Sequence, residues 1–163
     1  MTVSVPTSLQ QALEFRRANQ EALVISGGTD LMVEVNFNRR RVEDVLSLSR
    51  VSELKTLSIV PGEHVRIGSS TSWARLESGE VAELLPALAE AARTVGSPQI
   101  RQAGTIGGNL GTCSPAGDGL PVLAALNAII ELASIDETRR IPFRSEEHTS
   151  ELQLRFGISY AVF

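Results

Sequence analysis

The stretch GTIGGNLGTCSPAGDG, residues 104–119, decides how this chain is read. Six of its sixteen residues are glycine, and it also holds the sole cysteine, Cys113, and an aspartate, Asp118. Glycine weakens regular structure, so such a cluster calls for a turn or for a neighbour pressed close to the main chain. Two readings follow. Either this is a loop joining two elements, or its bare amides meet a ligand.

An earlier stretch shares the design. The apolar run ALVI (22–25) reads as a buried strand delivering Ser26-Gly27-Gly28-Thr29, where successive amides can face an anion beside a small hydroxyl. Concave arrays of main-chain N–H groups bind phosphate because the donors are fixed and their dipoles favour negative charge. Thr105-Ile106-Gly107-Gly108-Asn109 repeats that chemistry downstream, and the pair suggests a diphosphate held from two sides. Neither turn fits G-x-x-x-x-G-K-[ST] or G-x-G-x-x-G, which removes a P-loop and leaves a Rossmann site unsupported.

Composition narrows the classes further. The 163 residues suit one domain, or two small lobes about one ligand. Apolar residues at 42% and charged residues at 21% support an ordinary globular core. The net charge is −4 and arginines occur in short groups such as Arg39–Arg41, which reads as a solvated loop and argues against nucleic acid as a partner. One cysteine excludes an internal disulfide framework and a four-cysteine zinc or iron–sulfur site made by this chain alone. No apolar run approaches the roughly eighteen residues of a membrane span, and the first residues lack the features of a signal peptide. A cytoplasmic location, with no membrane partner, is the expectation.

Ser8 is placed to cap a helix running to about Ala18. EALVIS (21–26) and DVLSLS (44–49) read as strands, with a helical turn in DLMVEV between them. LKTLSIVPGEHVRIGS reads as a hairpin turning at Pro61-Gly62-Glu63. Thr71 or Ser72 caps a short helix holding Trp73 and Leu76, and residues 81–95 form a helix that Pro86 bends or restarts. A further helix begins near Pro121, AIIELAS (128–134) is a strand, and RRIPF (139–143) is its hairpin partner. Helices and strands alternate without an even βα rhythm, so the fold class expected is α+β. The lobes are placed at about 1–60 and 61–143.

The end differs in character. RSEEHTSELQ (144–153) is polar and without period, and resembles the translation of a sequencing-adapter remnant. Residues 144–163 are therefore expected to be a non-native or disordered tail, an ordinary exposed tail being the alternative, and His148 is given no role.

VISGGTDL (24–31) and GSPQIRQAGTIGGNLGTCSPAGDGLPVL (96–123), in that order and at that separation, resemble the FAD-binding domain of molybdenum hydroxylases. These are the flavoproteins of xanthine dehydrogenase and carbon monoxide dehydrogenase, built on the fold of p-cresol methylhydroxylase and vanillyl-alcohol oxidase. The similarity runs from about residue 5 to 143, and SPAGD (114–118) favours the xanthine dehydrogenase branch. It implies two small α/β lobes with the cofactor between them, incomplete at the C-terminus, because family members continue well past RRIPF into flavin-side contacts and a C-terminal domain. Weak or absent FAD affinity is the corresponding expectation.

By the resemblance, Val24, Ile25, Ser26, Gly27, Gly28, Thr29, Asp30 and Leu31 wrap the diphosphate and neighbouring ribityl or ribose. Thr105, Ile106, Gly107, Gly108 and Asn109 meet it from the other side, with Thr112 and Ser114 near the cofactor and Val95 as an apolar neighbour. Asp118 sits at the position that contacts the adenosine end, and a helix cap before Leu120 is an equal reading of it. Cys113 is expected to pack rather than to do redox chemistry. No catalytic residue and no metal ligand is assigned. The implied activity is that of an electron-transfer subunit passing electrons from [2Fe–2S] clusters on a partner to NAD or another acceptor. Its partners would be a molybdopterin-binding large subunit and a [2Fe–2S] small subunit. The alternatives are a stand-alone flavin oxidoreductase of the same superfamily, such as the enolpyruvyl-glucosamine reductase, and a non-catalytic interaction module or inactive fragment whose glycines serve only turns.

Overall fold

The computed structural model describes residues 2–143, together with the backbone of residues 157–162. Its first part alternates strands and helices: β1 (Thr2–Ser4), α1 (Leu9–Ala18), β2 (Leu23–Ile25), α2 (Thr29–Asn36) and β3 (Asp44–Ser47). The three strands make a parallel sheet in the order β1-β3-β2, with Val3 and Val24 flanking Val45 and Leu46. Parallel neighbours need crossovers, and α1 and α2 supply them. Ser8 caps α1 as expected, its hydroxyl accepting from the Gln11 amide. Ala12 of α1 then packs on Leu46, Leu48, Val51 and Leu54 in a small core.

The second part is built on an antiparallel sheet, β4-β5-β8-β6-β7. Its strands are β4 (Leu57–Val60), β5 (His64–Gly68), β6 (Ile129–Ala133), β7 (Thr138–Pro142) and β8 (Gly157–Val162). Both expected hairpins form, β4 pairing with β5 and β6 with β7. The helices fall between β5 and β6: α3 (Trp73–Leu76), α4 (Glu80–Leu84), α5 (Pro86–Thr94), α6 (Pro98–Ala103), α7 (Ile106–Thr112) and α8 (Gly119–Ala125). Their apolar sides meet the sheet in the main core, which holds Ile67, Trp73, Leu88, Ile106, Leu123 and Ile130. The expected helix over 81–95 is two helices. Leu85 leaves helical geometry before Pro86, which restarts the chain at a first-turn position where its missing N–H costs nothing.

One expectation is corrected. An α+β class describes only the second part; the first is a βαβαβ unit, and the whole is a mixed α/β fold. β4 pairs with β5, so Leu57–Val60 belongs to the second sheet. Residues 157–162 form β8, which pairs with β5 on one side and β6 on the other. Residues 144–156, including His148, lie outside the described residues.

One charge cluster ties the second sheet together. Glu131 on β6 is buried, and it accepts from Arg66 at 2.5 Å and from Arg140 at 2.6 Å. Burial pushes the Glu131 carboxyl upward, but hydrogen bonds and charge from the two arginines outweigh it and hold the group below its ordinary 4.5. A carboxyl depressed in the fold adds stability above its unfolded value and loses it as pH falls through the folded value. Glu131→Gln is therefore expected to lower the unfolding free energy by about 1–3 kcal/mol at pH 7, the arginines being partly solvated. That deficit shrinks below pH 4.5, as urea unfolding at several pH values will show; a deficit independent of pH would contradict the ion-pair account.

Candidate functional site

Gly28 precedes α2 in the left-handed region at φ 74°, a conformation that glycine adopts without a Cβ penalty. As the N-cap it leaves the first turn of α2 without a side-chain cap. The first intrahelical bond runs from Met32 N–H to the Gly28 carbonyl, and the amides of Gly27, Gly28 and Thr29 have no protein acceptor among the described residues. These are the orphan donors that every helix start leaves, here collected on one strand-to-helix turn.

The second glycine segment lies directly against this turn. A Cβ on Gly27 would overlap the Ala103 carbonyl, and one on Gly104 would lie 3.6 Å from Thr29 Oγ1. At the other end of α7, Thr112 Oγ1 donates to Asp30 Oδ2 at 3.0 Å. Ser26 and Thr105 both line one cavity of about 250 Å³. The two segments, some eighty residues apart in sequence, thus share one cleft.

Their chemistry is unequal, however. The segment expected as a glycine loop is largely helix α7, with Thr105 as N-cap accepting from Gly108 N–H at 3.0 Å. Ile106 N–H donates to Thr71 O at 3.1 Å and Gly107 N–H to Ser69 O at 2.8 Å. The expected free amides at Ile106, Gly107 and Gly108 are therefore taken by the protein itself. Ile106 further commits its side chain to the core, fully buried. Gly107 is explained by proximity, since a Cβ there would meet Ser69 Cβ at 2.6 Å. Gly108 differs: beyond Thr105 Oγ1 a Cβ would meet nothing within 4 Å, so bare main chain remains open there.

Around this turn the remaining assigned residues are spread. Asn109 carries a buried Oδ1 without a partner among the described residues, an uncompensated group that calls for one. Ser114 Oγ accepts from Ala116 N–H, closing a small turn. Asp118 does not cap α8: it has helical φ and ψ and makes no side-chain cap bond. Its exposed carboxylate accepts from Thr94 Oγ1 at 3.1 Å instead. Val95 ends α5 half-buried against the main core, while Val24 on β2 is exposed. Ile25 fills the space beneath Gly28, and Leu31 sits half-buried in α2. Cys113 is a free thiol at φ 49°, just beyond α7.

None of the assigned residues is basic, so negative charge at this turn would be met by amide dipoles. The uncapped α2 amides suit an anionic group, whereas the orphaned Asn109 oxygen calls for an O–H or N–H donor. No group of three or more His, Cys, Asp or Glu that could hold a metal occurs among the described residues. No helix among them is long and apolar enough to cross a membrane. Sequence reasoning missed the cations beside the cleft, Lys55 and Arg75, which line the same cavity as Ser26 and Thr105. Neither falls in a motif, and only folding brings them there.

Comparison with known proteins agrees with this geometry. Residues 1–150 match the family model described as the FAD binding domain in molybdopterin dehydrogenase. The nicotinate dehydrogenase FAD-subunit of Eubacterium barkeri is 37% identical over 119 residues, covering 72% of this chain and 40% of that protein. The nicotine 6-hydroxylase medium subunit of Paenarthrobacter nicotinovorans is 34% identical over 137 residues, covering 83% and 48%. The chain thus spans about half the length of the curated relatives it matches. Among solved structures, quinoline 2-oxidoreductase from Pseudomonas putida 86 superposes with a TM-score of 0.88 at 22% identity, covering all of this chain and 58% of that one. Carbon monoxide dehydrogenase from Hydrogenophaga pseudoflava gives 0.87 at 24%, covering 99% and 58%. Those two likenesses bear on the fold, while the family rests on the sequence match. With the strand-to-helix turn, the facing α7 segment and the shared cleft in place, the chain belongs to the family of FAD-binding domains of molybdopterin dehydrogenases.

Proposed function

We propose that this chain holds the diphosphate of FAD at the α2 turn and serves as part of an electron-transfer flavoprotein subunit. The observation that carries this reading is the row of amides at Gly27, Gly28 and Thr29, which lack protein acceptors among the described residues. Fixed donors at a helix start favour a diphosphate without needing a basic side chain. Thr112, hydrogen-bonded to Asp30 of α2, and Asn109 one turn before it on α7 would contact the ribityl or ribose hydroxyls, and Asp118 the adenosine end. When bound, the flavin supplies the redox chemistry, and the protein supplies binding and orientation. No proton transfer is assigned to these residues.

Relatives bearing the names xanthine dehydrogenase FAD-binding subunit and nicotine 6-hydroxylase medium subunit support a place beside other subunits. In the proposed complex a large subunit carries the molybdopterin and a small subunit carries [2Fe–2S] clusters. This chain receives electrons from those clusters and gives them to NAD or another acceptor.

Fluorescence titration of FAD with the purified chain tests the binding reading. Because the amides address the diphosphate, ADP is expected to displace FAD, while FMN, which has one phosphate and no adenosine, competes at least about tenfold less well. Equal competition by FMN, or no competition by ADP, would remove the diphosphate from the site.

A further inference from the structure

We propose that Thr112 is a positioning residue that parks the Asp30 carboxylate at the end of α7, off the α2 amides that take the diphosphate. The inference deepens the diphosphate reading and rests on it.

Asp30 poses an electrostatic problem. It is the acidic residue in the first turn of α2, so an anion on that turn must share it with a fixed negative charge. The positive end of a helix attracts carboxylates as it attracts phosphates, which makes a first-turn aspartate a competitor for the free amides. Yet the start of α2 carries no side-chain cap, from Asp30 or from any other residue. Asp30 Oδ2 accepts from Thr112 Oγ1 at 3.0 Å instead.

That placement runs against the local field. Thr112 is the last residue of α7, before Cys113 ends the helix in the left-handed region. Last-turn carbonyls carry the negative end of a helix, which repels a carboxylate. Attraction from α2 and repulsion from α7 therefore both drive Asp30 toward the amides of its own turn. One hydroxyl holds it back. A helical threonine ordinarily gives its proton to a carbonyl three or four residues earlier, whereas Thr112 gives its own to a residue 82 positions away. The lone pairs of Oγ1 stay available, so Thr112 can hold Asp30 and meet a ribose hydroxyl at once. Without the hydroxyl, Asp30 settles on its own amides and excludes the diphosphate.

Calorimetric titration of the full chain with ADP, in variants of both residues, tests this. Thr112→Val is expected to weaken ADP binding by about fivefold, the worth of one capped helix start. Asp30→Ala removes the competing charge and should tighten ADP binding by about two- to fivefold. The double variant should regain the affinity that Thr112→Val loses, and Thr112→Ser should recover most of it. A latch that only joins α2 to α7 predicts the opposite sign for Asp30→Ala. A contact from Thr112 to the ligand alone would not be restored in the double variant. In the ligand-free chain, Thr112→Val should move the nitrogen–proton signals of Gly28, Thr29 and Asp30 as the carboxylate settles on them. Weaker ADP binding in Asp30→Ala, no rescue in the double variant, or unmoved amides in Thr112→Val overturns this inference while the diphosphate reading stands. No uptake of ADP by the unaltered chain overturns both.

Discussion

Replacing Trp73 with alanine is expected to lower the unfolding free energy by about 3–5 kcal/mol, the range for removing a large buried aromatic. The ring is 2% exposed and sits in the main core with Leu76, Ile106 and Leu110. Its far edge sets the approach of α8, since a Cβ on Gly119 would come within 2.6 Å of Cη2. Its near edge lies under Gly104, where a Cβ would meet Cδ1 at 3.3 Å. The Trp73 amide donates to the Gly104 carbonyl at 3.1 Å, and Ser72 pairs with Thr105 in an isolated bridge. One side chain thus joins the core to the segment that faces α2. Urea unfolding followed by circular dichroism measures the loss, and a change under about 1 kcal/mol would show that the ring is not the keystone of this packing.

Gly27→Ala is expected to weaken ADP binding by at least about tenfold and to destabilise the chain by about 1–3 kcal/mol. The new methyl would fall on the Ala103 carbonyl, which is main chain at the end of α6 and cannot rotate away. The α2 turn must then separate from the α7 segment, carrying the amides of Gly28 and Thr29 with it. The Asp30–Thr112 hydrogen bond at 3.0 Å stretches in the same motion. A matched change at Gly62, an exposed hairpin turn with φ 76° and open space around it, provides the control. Gly62→Ala should cost the strain of a positive φ, about 1–2 kcal/mol, and leave ADP affinity unchanged. Retained ADP affinity in Gly27→Ala would mean that contact between the two segments is not needed for binding.

Much of the second lobe was legible because its signals are local. Pro61-Gly62-Glu63 between alternating runs named the β4–β5 hairpin, and Pro86 marked the break between α4 and α5. The first lobe was harder. Its strands are three or four residues long, too short for a period to stand out, and β1 lies at the very start. Without β1 the parallel βαβαβ unit could not be seen, and the class came out as α+β.

The glycine segment shows the other kind of miss. Its glycine content argued for a loop, yet Ile106 and Leu110 are spaced one turn apart and both are buried. That pair and the Thr105 cap hold α7 helical, tertiary packing overriding propensity. The question of why the main chain is bare there has a divided answer. Gly107 and Gly119 are small because Ser69 and Trp73 stand against them, whereas Gly108 alone of the three opens onto free space. The likeness to a flavoprotein domain was correct even though the amides were unequally shared between the two turns. The sequence pattern records packed and open glycines without distinguishing them.

Amide-resolved titration of isotopically labelled chain with ADP tests most directly whether the α2 turn is the diphosphate site. The account predicts that the largest nitrogen–proton shifts fall on Gly27, Gly28 and Thr29, with smaller ones at Gly108 and Asn109. Saturation by ADP that leaves those amides unmoved, or that moves only residues remote from α2 and α7, would contradict it.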